Sequence, residues 1–159
     1  MKECTFRLAT SNDYGSINRL KNQVHDYHCM HRPDFFKRSD HSLTESYFNT
    51  ILNSEQYFIF IIEVFTQIVA YAITSVHSYE TNPLIADHKR LFIEDVCVDE
   101  KNRYKGIGTY LFKTMEEFCK IKQINYIVLD VWNFNEEAIK FYKRIGMNPV
   151  TQRFEKPVT

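Results

Sequence analysis

Between Val98 and Phe112 the chain reads VDEKNRYKGIGTYLF, where a charged loop meets two glycines one residue apart. Strand-forming residues, Leu91–Val98, precede this loop. Ile107, Leu111, Met115 and Phe118 follow it on one face of a helix running to about Lys122. A strand entering a helix through a glycine turn is a joint of α/β folds. The first amides of a helix lack backbone partners and carry partial positive charge. Glycine removes side chains that would keep a phosphate from them, and Arg103 and Lys105 add cations. The stretch therefore reads as a seat for a phosphorylated ligand. The P-loop pattern does not fit, nor does G-x-G-x-x-G, because Leu111 stands where the third glycine belongs. A surface turn whose glycines serve only close packing is the competing reading.

The rest of the chain supplies alternating strands and helices. Phe6–Ala9 reads as a first strand, with a helix after it carrying Ile17, Leu20 and Val24 on one face and broken at Pro33. Ser42 and Glu45 have capping-box spacing ahead of a second helix with Tyr47, Phe48, Ile51 and Leu52. Tyr57–Phe65 and Ile68–Val76 are close enough to pair as a hairpin, and His77–Arg90 reads as a loop. Tyr126–Val131 is a strand. Ala138, Phe141, Tyr142 and Ile145 mark a last helix ended by Gly146, and Pro149–Phe154 offers a final strand. The order βααβββαβαβ predicts a mixed sheet, with hairpin-linked strands in the middle and helix-linked strands later.

The 159 residues fit one domain, taken as 1–159, with no repeat or linker. Twenty basic residues balance twenty acidic ones, which argues against a broad nucleic-acid footprint. The longest apolar run, YFIFII from Tyr57, is too short for a bilayer, and MKECTFRLAT has no signal-type core. Cys4, Cys29, Cys97 and Cys119 never form C-x-x-C, so neither a disulfide framework nor a zinc site is expected. A cytoplasmic protein without membrane contact follows as the expectation.

A second motif, N-x-x-A-x-x-F-Y-x-x-x-G, runs from Asn135 to Gly146. Together with R-x-x-G-x-G from Arg103 to Gly108, it resembles the GNAT superfamily of acetyl-CoA-dependent N-acetyltransferases. The resemblance implies a mixed, mainly antiparallel α/β sheet of six to seven strands flanked by helices and splayed between the fourth and fifth. It implies that the amides of Arg103, Tyr104, Lys105, Gly106, Ile107, Gly108 and Thr109 hold the coenzyme A pyrophosphate. The pantetheine arm would lie along Val96, Cys97 and Val98 like an added strand. Asn135 would bond the coenzyme, and Tyr142 would face its sulfur.

The implied chemistry is attack of a neutral amine on a thioester. An alkylamine with a pKa near ~10.4 is almost wholly protonated at neutral pH, so a carboxylate that takes its proton is valuable. Glu94 is the first candidate for this base and Asp95 the reserve. Strand alternation lets only one of them face the cleft unless a bulge intervenes. Both could instead merely pair with nearby cations. The Val96 amide would meet the oxyanion, and Tyr142 would protonate the leaving thiolate, a buried structural tyrosine being the alternative. Cys97 admits a covalent acyl-enzyme, but the family transfers directly.

FIEDVCV and WNFNEEAIKFYKRIG resemble the diamine (spermidine/spermine) acetyltransferases in particular, although Asn133-Phe134 adds residues between Trp132 and Asn135. A small-molecule amine such as a polyamine is the expected acceptor, contacted by Glu94, Asp95, His28 and Glu80. Aminoglycosides, protein N-terminal or lysine amines, and a non-catalytic acyl-CoA sensor stay open. His25, His28 and His31 are spaced by three, but no metal is expected there. Many family members pair as homodimers through edge strands, which the apolar strands here permit.

Overall fold

The computed structural model describes residues 4–158. Its sheet has five strands in the order β1-β2-β3-β4-β5: β1 (Cys4–Leu8), β2 (Tyr57–Val64), β3 (Gln67–Ser78), β4 (Lys89–Val98) and β5 (Tyr126–Leu129). The first four run antiparallel to their neighbours, whereas β5 pairs parallel to β4. Helices α1 (Tyr14–His31) and α2 (Glu45–Leu52) cover one face, and α3 (Ile107–Lys122) and α4 (Glu136–Arg144) cover the other.

The unbroken apolar run of β2 follows from this layering, since a strand covered on both faces has no polar side. Ile59 and Ile61 pack with Ile17 and Leu20 of α1 and with Phe48 and Ile51 of α2. Phe60 and Ile62 point the other way, against Ile107, Leu111 and Met115 of α3. Each such side chain, fully buried, contributes roughly 1.5–3 kcal/mol of transfer free energy.

Three expectations from the sequence need correction. The sheet among the described residues has five strands, not six to seven. Pro149–Phe154 forms none: Pro149 has no N–H to donate, and Val150 and Phe154 stand 82% and 87% exposed. An ion pair from Glu155 to Arg32 at 2.8 Å ties this tail instead. The cap of α2 is Thr44, whose hydroxyl accepts from the Tyr47 amide at 3.3 Å, while Ser42 donates to Asn22 Oδ1 at 2.6 Å. Strand limits also move. The hairpin of β3 and β4 extends to Ser78 and Lys89, so the intervening loop is shorter than His77–Arg90.

Two irregularities of β4 shape everything around it. It pairs with β5 only from Arg90 to Ile93, so its last five residues, Glu94–Val98, have no strand on that side. On its other side Thr74 faces Ile93 and Ile73 faces Asp95, leaving Glu94 as the extra residue of a β-bulge.

Candidate active site

The bulge changes which face the residues of β4 present. Leu91 and Ile93 belong to the α3 side, and strict alternation would place Asp95 and Cys97 with them. Instead Val96 and Val98 pack on the α3 side and Cys97 on the α1 side. Glu94 and Asp95 therefore both face α1 and α2. Asp95 forms an ion pair with Lys21 of α1. Glu94 Oε1 accepts a 2.6 Å hydrogen bond from Ser75 Oγ, which lies 2.8 Å from His77 Nε2. Tyr71 is fully buried beneath this pair. Burial first, and then the Asp95 charge, holds its phenol well above the ordinary range.

Tyr142 approaches from the opposite face. Its ring lies 5.8 Å from Phe112 and 5.6 Å from Phe141. Burial first, and then the Asp95 charge, pushes its phenol up to about 12. It thus stays protonated throughout the physiological range. Cys97 is 4% exposed, and burial pushes its thiol up to about 12 as well, which leaves almost no thiolate for nucleophilic attack.

Beyond the open end of β4, the chain turns through Asp99, whose carboxylate accepts from the Lys101 amide, and reaches α3. Tyr104 has φ 62° and Gly106 φ 81°, so the loop enters the helix through left-handed backbone. The N-cap of α3 is Gly106, which has no side chain to cap it, and among the described residues no side chain accepts from the amides of Ile107 to Thr109. These donors and the bare edge of β4 are what a diphosphate with an extended amide-bearing arm requires. The loop cations are engaged locally. Arg103 Nε donates to Val98 O at 3.2 Å and Lys105 Nζ to Lys101 O at 2.7 Å. The exposed Tyr104 donates to Glu137 at 3.0 Å.

The two glycines of the motif differ in role. Gly106 supplies the positive φ. Gly108 supplies room, since a Cβ there would stand 3.1 Å from Phe141 Cζ. Close packing, the bland reading of these glycines, is therefore half of the explanation. Asn135 caps α4, its Oδ1 accepting from the Ala138 amide at 3.3 Å.

The remaining candidates divide. His28 is partly buried in the field of Asp95, and that burial lowers its pKa despite the carboxylate. Its ring stacks on Phe36 at 5.1 Å and meets Phe134 edge-on at 5.9 Å, within an aromatic group that includes Trp132. The inserted Phe134 thus packs against α1, where it also stacks on His31 at 4.8 Å. Glu80 pairs with Lys89 at 3.1 Å at the end of the β3–β4 hairpin. Among the described residues no group of three or more His, Cys, Asp or Glu is arranged for a metal ion. No helix among them is long and apolar enough to cross a membrane. Sequence reasoning missed Lys21, Tyr71, Ser75 and His77. The one available signal was Ser75 and His77 at strand spacing of two.

This arrangement has known counterparts. A variant of the BH1408 protein from Bacillus halodurans is 32% identical and superposes with a TM-score of 0.93, covering 98% of this chain and 99% of that one. The aminoglycoside N-acetyltransferase AAC(6')-Iy, solved with a CoA-S-monomethyl-acetylneamine bisubstrate analogue, shares the fold at 14% identity. Its TM-score is 0.73, with 99% of both chains covered. Streptothricin acetyltransferase from Streptomyces lavendulae is 37% identical over 59 residues, which are 37% of this chain and 31% of that protein. The chain thus spans about a third of that curated relative. The profile of the acetyltransferase (GNAT) family matches residues 24–147, and the chain belongs to that family.

Proposed function

We propose that this protein transfers the acetyl group of acetyl-CoA directly to a primary amine of a small, cationic molecule, a polyamine being the favoured class. The bulge carries this reading, because it puts Glu94 and Asp95 on one face beside the open edge of β4. Two adjacent carboxylates suit an acceptor with more than one ammonium group. Asp95, already paired with Lys21, is a charge anchor. Glu94, whose Oε1 accepts from Ser75, pairs with no cation among the described residues and is the base. It takes a proton from the acceptor ammonium, and the neutral nitrogen attacks the thioester carbonyl. The Val96 amide donates to the oxyanion as the C–N bond forms. The C–S bond then breaks, Tyr142 gives its proton to the thiolate, and the extra proton of the acetylated nitrogen returns through water to the Tyr142 phenolate.

The first-turn amides of α3 and the strand edge at Val96–Val98 would hold the coenzyme, with Asn135 assisting. His28 lines the acceptor side. Glu80, at the hairpin end, reaches the far end of a long acceptor. The streptothricin acetyltransferase and the aminoglycoside neighbour are named for amine-bearing small molecules, which supports an acceptor of that size.

The test is thiol release from acetyl-CoA with spermidine, spermine, kanamycin, lysine and a lysine-containing peptide, alongside Tyr142→Phe and Glu94→Gln. Turnover on spermidine or spermine, cut ten-fold or more in both variants, is the expected result. Turnover confined to the peptide would move the acceptor to protein. Binding of acetyl-CoA without turnover on any amine would replace the enzyme by a sensor.

A further inference from the structure

We propose that Ser75 and His77 are positioning residues that hold the Glu94 carboxylate in its working orientation. This inference rests on the reading of Glu94 as the base. It starts from the contrast between the two ends of one hydrogen bond. Glu94 is exposed and belongs to a bulge, whereas Ser75 is 3% exposed and sits in the regular part of β3. A free glutamate on a strand surface samples many rotamers, and fixing one costs side-chain entropy. The 2.6 Å bond from Ser75 Oγ fixes it before any acceptor arrives.

The direction of the chain follows from its donors. An ionised carboxylate only accepts, so the single hydroxyl hydrogen of Ser75 goes to Glu94 Oε1. The 2.8 Å contact between Ser75 Oγ and His77 Nε2 can then be a hydrogen bond only if Nε2 carries hydrogen. The order is His77 Nε2–H to Ser75 Oγ–H to Glu94 Oε1. It occupies one carboxylate oxygen and leaves Oε2 for the acceptor proton.

The surroundings keep His77 in this role. Phe92, opposite Ser75 on β4, meets its ring edge-on at 6.1 Å. Arg90, opposite His77, is turned elsewhere: its Nε donates to His88 Nε2 at 2.8 Å and its guanidinium lies over Tyr79 at 5.2 Å. That cation therefore does not compete for the Glu94 carboxylate.

Two measurements test the proposal. In the wild-type protein, the ring-nitrogen chemical shifts of neutral His77 should report the Nε2–H tautomer, and Ser75→Ala should erase that preference. The Nδ1–H tautomer in wild type would overturn the chain. In the thiol-release assay with the same amines, Ser75→Ala and His77→Leu should each lower kcat five- to twenty-fold, with KM for acetyl-CoA unchanged. His77→Gln, whose amide can donate as Nε2–H does, should recover most of the loss, whereas a packing role against Phe92 would favour Leu. His77 is exposed, so its variants should fold even if Ser75→Ala does not. Loss of activity in Glu94→Gln with wild-type kcat in His77→Leu would remove the positioning role and leave the base intact. Full activity in Glu94→Gln would remove both.

Discussion

A Cβ on Gly108 would stand 3.1 Å from Cζ and 3.3 Å from Cε2 of Phe141, so the first turn of α3 and the middle of α4 are in direct register. Phe141 precedes Tyr142, and any displacement of one ring moves the other. Gly108→Ala gains up to about 1 kcal/mol of helix propensity but overpacks the contact at a cost of roughly 1–3 kcal/mol. The expected outcome is a net loss near 1 kcal/mol by thermal unfolding, with a several-fold drop in kcat. Phe141→Leu in the same protein should restore part of both.

Tyr142→Phe keeps the packing on Phe112 and removes the proton. Its kcat should fall ten-fold or more, equivalent to about 1.4 kcal/mol of barrier, with coenzyme affinity little changed. The phenol titrates near 12 because it is buried and faces the Asp95 charge. Its acid form therefore persists as pH rises, and Tyr142 contributes no loss of activity below about pH 10. A steep alkaline fall near pH 8 that vanishes in Tyr142→Phe would remove it as the general acid.

Lys21 neutralises Asp95 in a partly buried pair. Lys21→Met should cost roughly 1–3 kcal/mol, less than a fully buried pair because both groups retain some solvent. It also frees a carboxylate on the acceptor side. KM for a polyamine should fall several-fold, while KM for acetyl-CoA stays constant. Steady-state kinetics with spermidine read both.

The Arg7 guanidinium, 2.7 Å from Asp13 and 2.6 Å from Glu63, ties β1 to the start of α1 and to β2. Chiefly through the Arg7 hydrogen bond, Asp13 titrates at about 2 rather than 3.8. A depressed carboxylate stabilises the fold above its unfolded pKa and loses that contribution as pH falls through its folded one. The window is pH 4 to 2. Asp13→Asn should cost on the order of 2 kcal/mol at neutral pH by denaturant unfolding, and the gap from wild type should close by pH 2.

Much of this was legible in the sequence because local patterns carry it. The helix faces of α1, α3 and α4 follow from spacing, as does the glycine turn, and the pairing of β2 with β3 needs only their proximity. The missing strand at Pro149–Phe154 failed for a non-local reason. Val150 and Phe154 of that segment stay exposed, and the tail is held by Arg32, more than a hundred residues upstream. The site divides the same way. Glu94 and Asp95 were visible as a pair, while the bulge that aligns them depends on the register of β3, which the sequence does not print. Lys21, Ser75 and His77 come from other elements and carry no motif.

The parting of β4 from β5 also bears on solubility. A row of unpaired backbone groups at the rim of a sheet invites other chains to add a strand. Here such a row is Glu94–Val98, the stretch of β4 that runs past the end of β5. The slot is about 16 Å long, flanked by Tyr142 and the helix mouth. That is room for a slender extended ligand, and β5 itself pairs with β4 over no greater length. A ligand lying along this slot would take up the same backbone groups and so leave none for another chain to pair with.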